Sequence, residues 1–316
     1  MNGMKQINLQ DYGLNRNFIT QSMEYHDLYL ARIISQEKNF YQAVCVNGVL
    51  FAEVSGKLRF EATIQSDFPT VGDFVMLDRC NNKNGNAIIH HVLHRKSLFV
   101  RKAAGKVNEE QVVAANIDIV FLCMSLNKDF NIHRLERYLS LTWESGAIPV
   151  VVLTKSDLCD NVHRKLQVVN SIALGVDVVV TSFIEPDGYK QISKYIKPGC
   201  TVALLGSSGV GKSSLINCLM GGEFLNTKEI RIDDDKGRHA TTRRELFLIS
   251  GGGIVIDTPG MRELGMWDVS EGLDKSFADI EAYFGKCHFR NCTHTSEPGC
   301  AIWEAIAHQE LSPRSE

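Results

Sequence analysis

Two short stretches of this sequence have the residue types and spacing to hold phosphate and to read a base. The first, Gly206-Ser207-Ser208-Gly209-Val210-Gly211-Lys212-Ser213, fits GxxxxGK[ST] without a gap. It follows the apolar run Thr201–Leu205 and leads into Ser214–Met220, a helical pattern, which is the context the motif requires. Its glycines let successive backbone N–H groups curl around phosphate oxygens, and the helix start adds the positive end of its dipole. In that frame Lys212 places its ammonium on the β- and γ-phosphates and Ser213 ligates Mg²⁺, with Ser214 closing the nucleotide-contacting set. A plain glycine-rich turn is the bland alternative; strand, loop, Lys-Ser and helix in register argue against it.

The second stretch, Thr154-Lys155-Ser156-Asp157, directly follows the apolar run Val150–Leu153. In an [NT]KxD loop the aspartate accepts from N1–H and the exocyclic amine of guanine, a donor pair adenine lacks. The lysine stem packs over the base while its head stays solvated. A site built on such hydrogen bonds rejects the wrong base by large factors. Thr154 replaces the commoner asparagine. Ser182, after Val176–Val180, occupies the place of a second base loop, with Phe183 where a small residue is usual. These residues imply GTP and GDP as ligands.

Asp257-Thr258-Pro259-Gly260 follows Ile254–Ile256 and matches DxxG. Asp257 would reach Mg²⁺ through water, and the Gly260 N–H would meet the γ-phosphate. Between this motif and the phosphate loop lies the charged stretch Asn226–Arg244, containing Gly237-Arg238-His239-Ala240-Thr241-Thr242. A switch there needs a hydroxyl for Mg²⁺: Thr241 first, Thr242 second. A long surface loop is the alternative reading of the same residues.

The elements that must position these groups divide the 316 residues into three regions, as the length suggests. Leu28–Ile34, Phe40–Val46, Val49–Val54, Phe74–Leu77 and Ala87–Val92 are short β-forming runs separated by Asn-Gly, Ser-Gly and Pro69–Gly72 turns, which suits a small barrel of the OB type. His90–Lys106 carries Arg95, Lys96, Arg101, Lys102 and Lys106 with no acidic residue and reads as a solvated linker rather than a binding surface. From Ile117 onward, buried-type strands alternate with helical spacing, as at Leu135, Tyr138, Leu139 and Thr142, the mark of a mostly parallel α/β sheet. The expected boundaries are 1–96 for the barrel, 97–112 for the linker, 113–268 for the nucleotide domain and 269–316 for a mostly helical end.

That end holds Cys287-x4-Cys292-x-His294-x5-Cys300, four soft ligands suited to a closed tetrahedral Zn²⁺ site. The remaining cysteines read as buried thiols rather than a disulfide framework. A net charge of −3 argues against a generally basic nucleic-acid binder. The apolar runs are strand-length and too short to span a bilayer, and Met1–Tyr12 lacks an export pattern, so a cytoplasmic protein is expected.

The base loops precede the phosphate loop, the reverse of the Ras-like order. A surface loop has been opened and old termini joined, which leaves the sheet intact. It also places the second switch only 27 positions before the cysteine cluster, counting from Gly260 to Cys287. A β-barrel, a circularly permuted GTPase with GxxxxGKS, TKxD and DTPG, and a CxxxxCxHxxxxxC module together resemble the RsgA/YjeQ family over nearly the whole chain. Pro69-Thr70-Val71-Gly72-Asp73, Ala114–Asp118 and Cys292–Cys300 carry the likeness further.

The resemblance implies an OB-fold barrel, GTP hydrolysis stimulated by the small ribosomal subunit, contact with its rRNA, and a role in late maturation of that subunit. A monomer is expected. Met261 stands where Ras-like enzymes place the glutamine that orients water, so intrinsic turnover is expected to be slow. His239 is the expected catalytic group in cis, with a ribosomal group as the alternative. Three departures from the family pattern are Ala240 in place of another threonine, a barrel that is not strongly basic, and Glu316 where relatives usually continue. The rival reading is a GTP-gated RNA-binding module with incidental hydrolysis.

Overall fold

The computed structural model describes residues 6–37, 40–81, 85–102, 110–127, 129–182, 188–220, 244–249, 251–257, 286–287, 299–301 and 304–305. Contacts divide the chain into two units, Met1–Gly265 and Met266–Glu316. Among the described residues no helix is long and apolar enough to cross a membrane.

The first unit begins with α1 (Arg16–Ser22), capped by Asn15, whose side chain accepts from the N–H groups of Asn17 and Phe18. The strands β1 (Tyr29–Glu37), β2 (Phe40–Cys45) and β3 (Gly48–Val54) follow, then α2 (Gly56–Glu61), β4 (Phe74–Leu77) and β5 (Ala87–Val92). Strand side chains alternate between faces, so in β3 Leu50, Ala52 and Val54 are buried while Val49 and Phe51 point out. The pairings β1–β2–β3–β5–β4 and back to β1 close a five-stranded barrel, with β3–β5 the one parallel pair in the ring. Ala31, Ile33, Ala43, Leu50, Val75, Leu77 and Ile89 fill it.

Two expectations are corrected here. Cys45 is bonded to Cys80, with Cα atoms 6.2 Å apart, where free thiols were anticipated. The end of β2 and the segment after β4 converge, as the Asn47 Nδ2 bond to the Cys80 carbonyl at 3.2 Å also shows, a meeting that spacing in sequence does not reveal. The described part of the stretch read as a solvated linker, residues 90–102, is also structured. Its β6 (Leu98–Lys102) pairs antiparallel with β7 (Glu110–Ala115) beyond it, and Phe99 of β6 enters the main core beside Val113 and Ala114 of β7. Its basic residues had masked its β-forming ones.

The nucleotide sheet uses β8 (Ile119–Ser125), α3 (Ile132–Ser145), β9 (Ile148–Thr154), α4 (Val162–Ile172), β10 (Asp177–Val180), α5 (Lys190–Ser193), β11 (Thr201–Leu205), α6 (Lys212–Met220), β12 (Arg244–Leu248) and β13 (Ile254–Asp257). In α3 the buried residues are Leu135, Tyr138, Leu139 and Thr142, as the spacing predicts. Asn131 caps its start, and Gly146 ends it in the left-handed region. Helices α3 and α4 pack on one face of the sheet and α5 and α6 on the other.

The strand order is β10-β9-β8-β11-β13-β12, parallel from β10 to β13 with β12 antiparallel. The chain lays β8, β9 and β10 outward, then returns to place β11 on the other side of β8. That reversal opens the crevice where ligands bind in sheets of this kind.

Barrel and nucleotide sheet meet at a polar seam. β12 pairs with β1 (Ser35 with Glu245, Gln36 with Arg244). Arg32 of β1, 1% exposed, donates to the carbonyls of Gly72 at 3.1 Å and Tyr12 at 2.6 Å and to Thr201 Oγ1 at 3.0 Å. Burial pulls its guanidinium down to about 10, against the pull of Asp118 and Asp73, so it stays charged at neutral pH. Asp73 is buried and held by Arg95 at 2.7 and 2.8 Å and by the Thr70 N–H at 2.8 Å. Gly72 sits at φ +95°, and a Cβ there would lie 2.1 Å from the Ala115 carbonyl oxygen, so no other residue fits the crossing.

Candidate nucleotide-binding site

Because β8, β9, β10 and β11 are parallel, their C-terminal ends share one edge of the sheet. The phosphate loop leaves that edge at Gly206, where a Cβ would lie 2.4 Å from the Cys123 carbonyl oxygen of β8. Only glycine lets the loop pass so close. Ser208 and Gly209 are exposed, and Val210 is buried with Leu215 and Ile216, which anchors the loop's far side. Lys212 Nζ donates to the carbonyls of Gly206 and Ser207, both at 2.6 Å, so the ammonium lies across the loop. Ser213 and Ser214 occupy the first turn of α6, where backbone N–H groups lack helical acceptors. Beneath the loop, burial pushes the Cys123 thiol up to about 12 even with Lys212 nearby, so it is an inert packing group.

The base side is built from β9 and β10. Thr154, fully buried, donates from Oγ1 to the Val210 carbonyl at 2.6 Å, tying the end of β9 to the phosphate loop. Lys155 adopts the left-handed conformation at φ +57°, which turns the chain into Ser156–Leu158. Asp157 is exposed, and its Oδ1 accepts from Ser182 Oγ at 2.6 Å. Ser182 itself is 1% exposed, so its hydroxyl fixes the carboxylate from below. Thus Thr154, Lys155, Asp157, Ser182 and Gly206–Ser214 come together at one edge.

Asp257 ends β13, beside β11 in the same sheet, with Cα partner Glu245. His239, Thr241, Thr242 and Gly260 lie outside the described residues. So do Cys292 and His294. Cys287 and Cys300 are described in the second unit, Cys300 buried, and among the described residues no three metal-ligating side chains stand together.

One contact was not anticipated from sequence. Asp129, in the loop after β8, accepts from Ser207 Oγ through Oδ2 and pairs with Arg134 Nη2 through Oδ1 at 2.9 Å. The signal was present: an aspartate just past a buried strand, on the edge where the phosphate loop must emerge.

The parts described fit a guanine nucleotide with Mg²⁺. The loop's lysine rests on the loop's own carbonyls, a serine stands at the helix start, and the Asp157 carboxylate is held by Ser182. A sequence model of the RsgA GTPase family matches residues 92–267, which span the base loops, the phosphate loop and DxxG. The chain belongs to the RsgA GTPase family. It is 45% identical to "Small ribosomal subunit biogenesis GTPase RsgA 2" of Lactiplantibacillus plantarum over 95% of this chain and 84% of that one. To "Small ribosomal subunit biogenesis GTPase RsgA 1" of Listeria innocua it is 42% identical, over 96% and 85%. The crystal structure of YjeQ from Thermotoga maritima superposes with a TM-score of 0.57 at 26% identity, covering 90% of this chain and 94% of that one. YloQ, described as a circularly permuted GTPase, superposes at 0.53 and 26% identity, covering 92% and 91%. The permuted order read from base loops that precede the phosphate loop agrees with that description.

Proposed function

We propose that this chain hydrolyses GTP to GDP and phosphate, is stimulated by the small ribosomal subunit, and acts in the late maturation of that subunit. The observation that carries the nucleotide assignment is the Ser182–Asp157 bond beside a phosphate loop that Thr154 ties to the same strand end. The subunit assignment draws on the names of relatives more than 40% identical over most of this chain.

In this reading Asp157 selects guanine, and the loop N–H groups with Lys212 neutralise the phosphates. Ser213, Thr241 and Asp257 hold Mg²⁺ beside them, which supplies charge stabilisation when bound. Gly260 reads the γ-phosphate, and His239 orients water in place of the glutamine that Met261 replaces. The barrel is an OB-fold, a reading supported by its ring order and its parallel β3–β5 pair, and it meets rRNA. Cys287, Cys292, His294 and Cys300 hold one structural Zn²⁺, a reading supported by their chemistry and spacing. The protein works as a cytoplasmic monomer, with domains at 1–96, 113–268 and 269–316.

The test is turnover of the full chain with and without purified small subunits. Strong stimulation is expected. Nucleotide-dependent binding to subunits with no stimulation would instead make the protein a GTP-gated RNA-binding module.

A further inference from the structure

The phosphate loop is held at two points, by the end of β9 and by the loop after β8. On the base side Thr154 Oγ1 reaches the Val210 carbonyl. From the loop after β8, Asp129 accepts from Ser207 Oγ, and its other oxygen is held by Arg134. Arg134 is fixed in turn, because its Nη2 also reaches the Asp129 carbonyl and its N–H is capped by Asn131 Oδ1 at 2.9 Å. The chain of contacts therefore runs from the second residue of the loop, through a carboxylate, to the first turn of α3. A carboxylate beside a pocket for phosphates is costly unless it does something there, since like charges repel. Here Arg134 offsets the charge, and the remaining oxygen is spent on the loop.

The Asp129 side chain is 40% exposed, so its pairing contributes little to the fold. Its effect falls on the loop. A glycine-rich loop of this kind has many conformations to lose when nucleotide binds, and each constraint already in place lowers that cost.

Resting on the nucleotide assignment above, we propose that Asp129 is a positioning residue for guanine nucleotides. Through Ser207 it pre-forms the phosphate loop before any ligand arrives, and Arg134 keeps its charge from opposing the phosphates. The contact needs an acceptor at position 129 and a hydroxyl at 207.

The test is a double-mutant cycle on the full chain, read as equilibrium affinity for a fluorescent GDP analogue with melting temperature measured alongside. D129A and S207A should each weaken binding about 10-fold, the scale of one hydrogen bond to a charged group, with melting unchanged within a degree or so. Combining them should add almost nothing, because both remove the same contact. D129N, which keeps an acceptor for Ser207, should recover most of the affinity. Losses that multiply in the double variant, or D129N binding no better than D129A, would overturn the proposal. A wild-type chain that bound no guanine nucleotide would instead sink the nucleotide assignment itself.

Discussion

The nucleotide edge and the barrel seam are both held by polar side chains, yet they are built in opposite ways. At the nucleotide edge single hydrogen bonds from Thr154, Ser182 and Ser207 hold a rim that stays open to solvent, where Asp157, Ser208 and Gly209 are exposed. At the seam the groups are buried and come from far apart in the chain. Arg32 alone joins Tyr12, Gly72 and Thr201, the last 169 positions away. The comparison teaches that a binding edge can be ordered by a few single hydrogen bonds while a domain junction relies on buried groups with many partners. A site must still open to a ligand. A junction must not open at all.

The largest effect should therefore come from breaking the seam. Arg32→Met removes a buried guanidinium that serves four acceptors across the seam, the carbonyls of Tyr12, Gly72 and Asn116 and Thr201 Oγ1, and buried acceptors left without a donor carry a heavy penalty. A loss of about 3–5 kcal/mol of stability is expected, read as a fall in melting temperature. Nucleotide affinity of the folded fraction should hardly change. If Arg32→Met lost nucleotide binding without loss of stability, the seam and the edge would be one device rather than two.

A smaller effect, of opposite character, is expected at the edge. Asp157→Asn should weaken GTP binding by roughly 10–150-fold, the range for a hydrogen bond to a charged group, and should raise the relative affinity for xanthine nucleotides. Melting temperature without ligand should stay within about a degree, because Asp157 is exposed and Asn still accepts from Ser182. Equal affinity of the unaltered protein for ATP and GTP would remove the base assignment.

The same contrast explains what could be read from the sequence. Gly206–Ser213 and Thr154–Asp157 were legible because each motif is contiguous and follows an apolar strand, so chemistry and support lie side by side. The barrel strands and the α3 face were legible from periodicity. Arg32 was not, since an isolated arginine in a β-forming run looks like any solvent-facing charge until Thr201 and Gly72 are placed beside it. Arg95 and Lys96 misled for the same reason: their charges suggested solvent, yet they bond Asp73 and Asp118. Thr154, standing in place of the commoner asparagine, gives its hydroxyl to the Val210 carbonyl, a contact between elements 56 positions apart that spacing does not reveal.

The smallest effect separates the seam from the barrel by acid. Burial pushes the Asp73 carboxyl up, although Arg95 and the Thr70 N–H bond its charged form. Its folded value lies above the unfolded one, so whatever stability it contributes is present at low pH and lost as pH rises. Asp73 cannot drive acid unfolding. Asp78 has the other sign. Burial alone would raise it, but its bonds to Arg79 and to the Ile88 N–H, at 2.7 Å, outweigh that and bring it below the ordinary carboxylate value. Its contribution is present above the unfolded value, about 3.9, and is lost as pH falls below about 4. Asp78→Asn keeps an acceptor for Ile88 but neither titrates nor attracts Arg79. The variant should melt slightly below the unaltered protein at pH 7 and converge with it near pH 3. A gap that stayed constant across that range would show that Asp78 acts by packing alone, and would move the acid-sensitive point of the first unit away from the barrel.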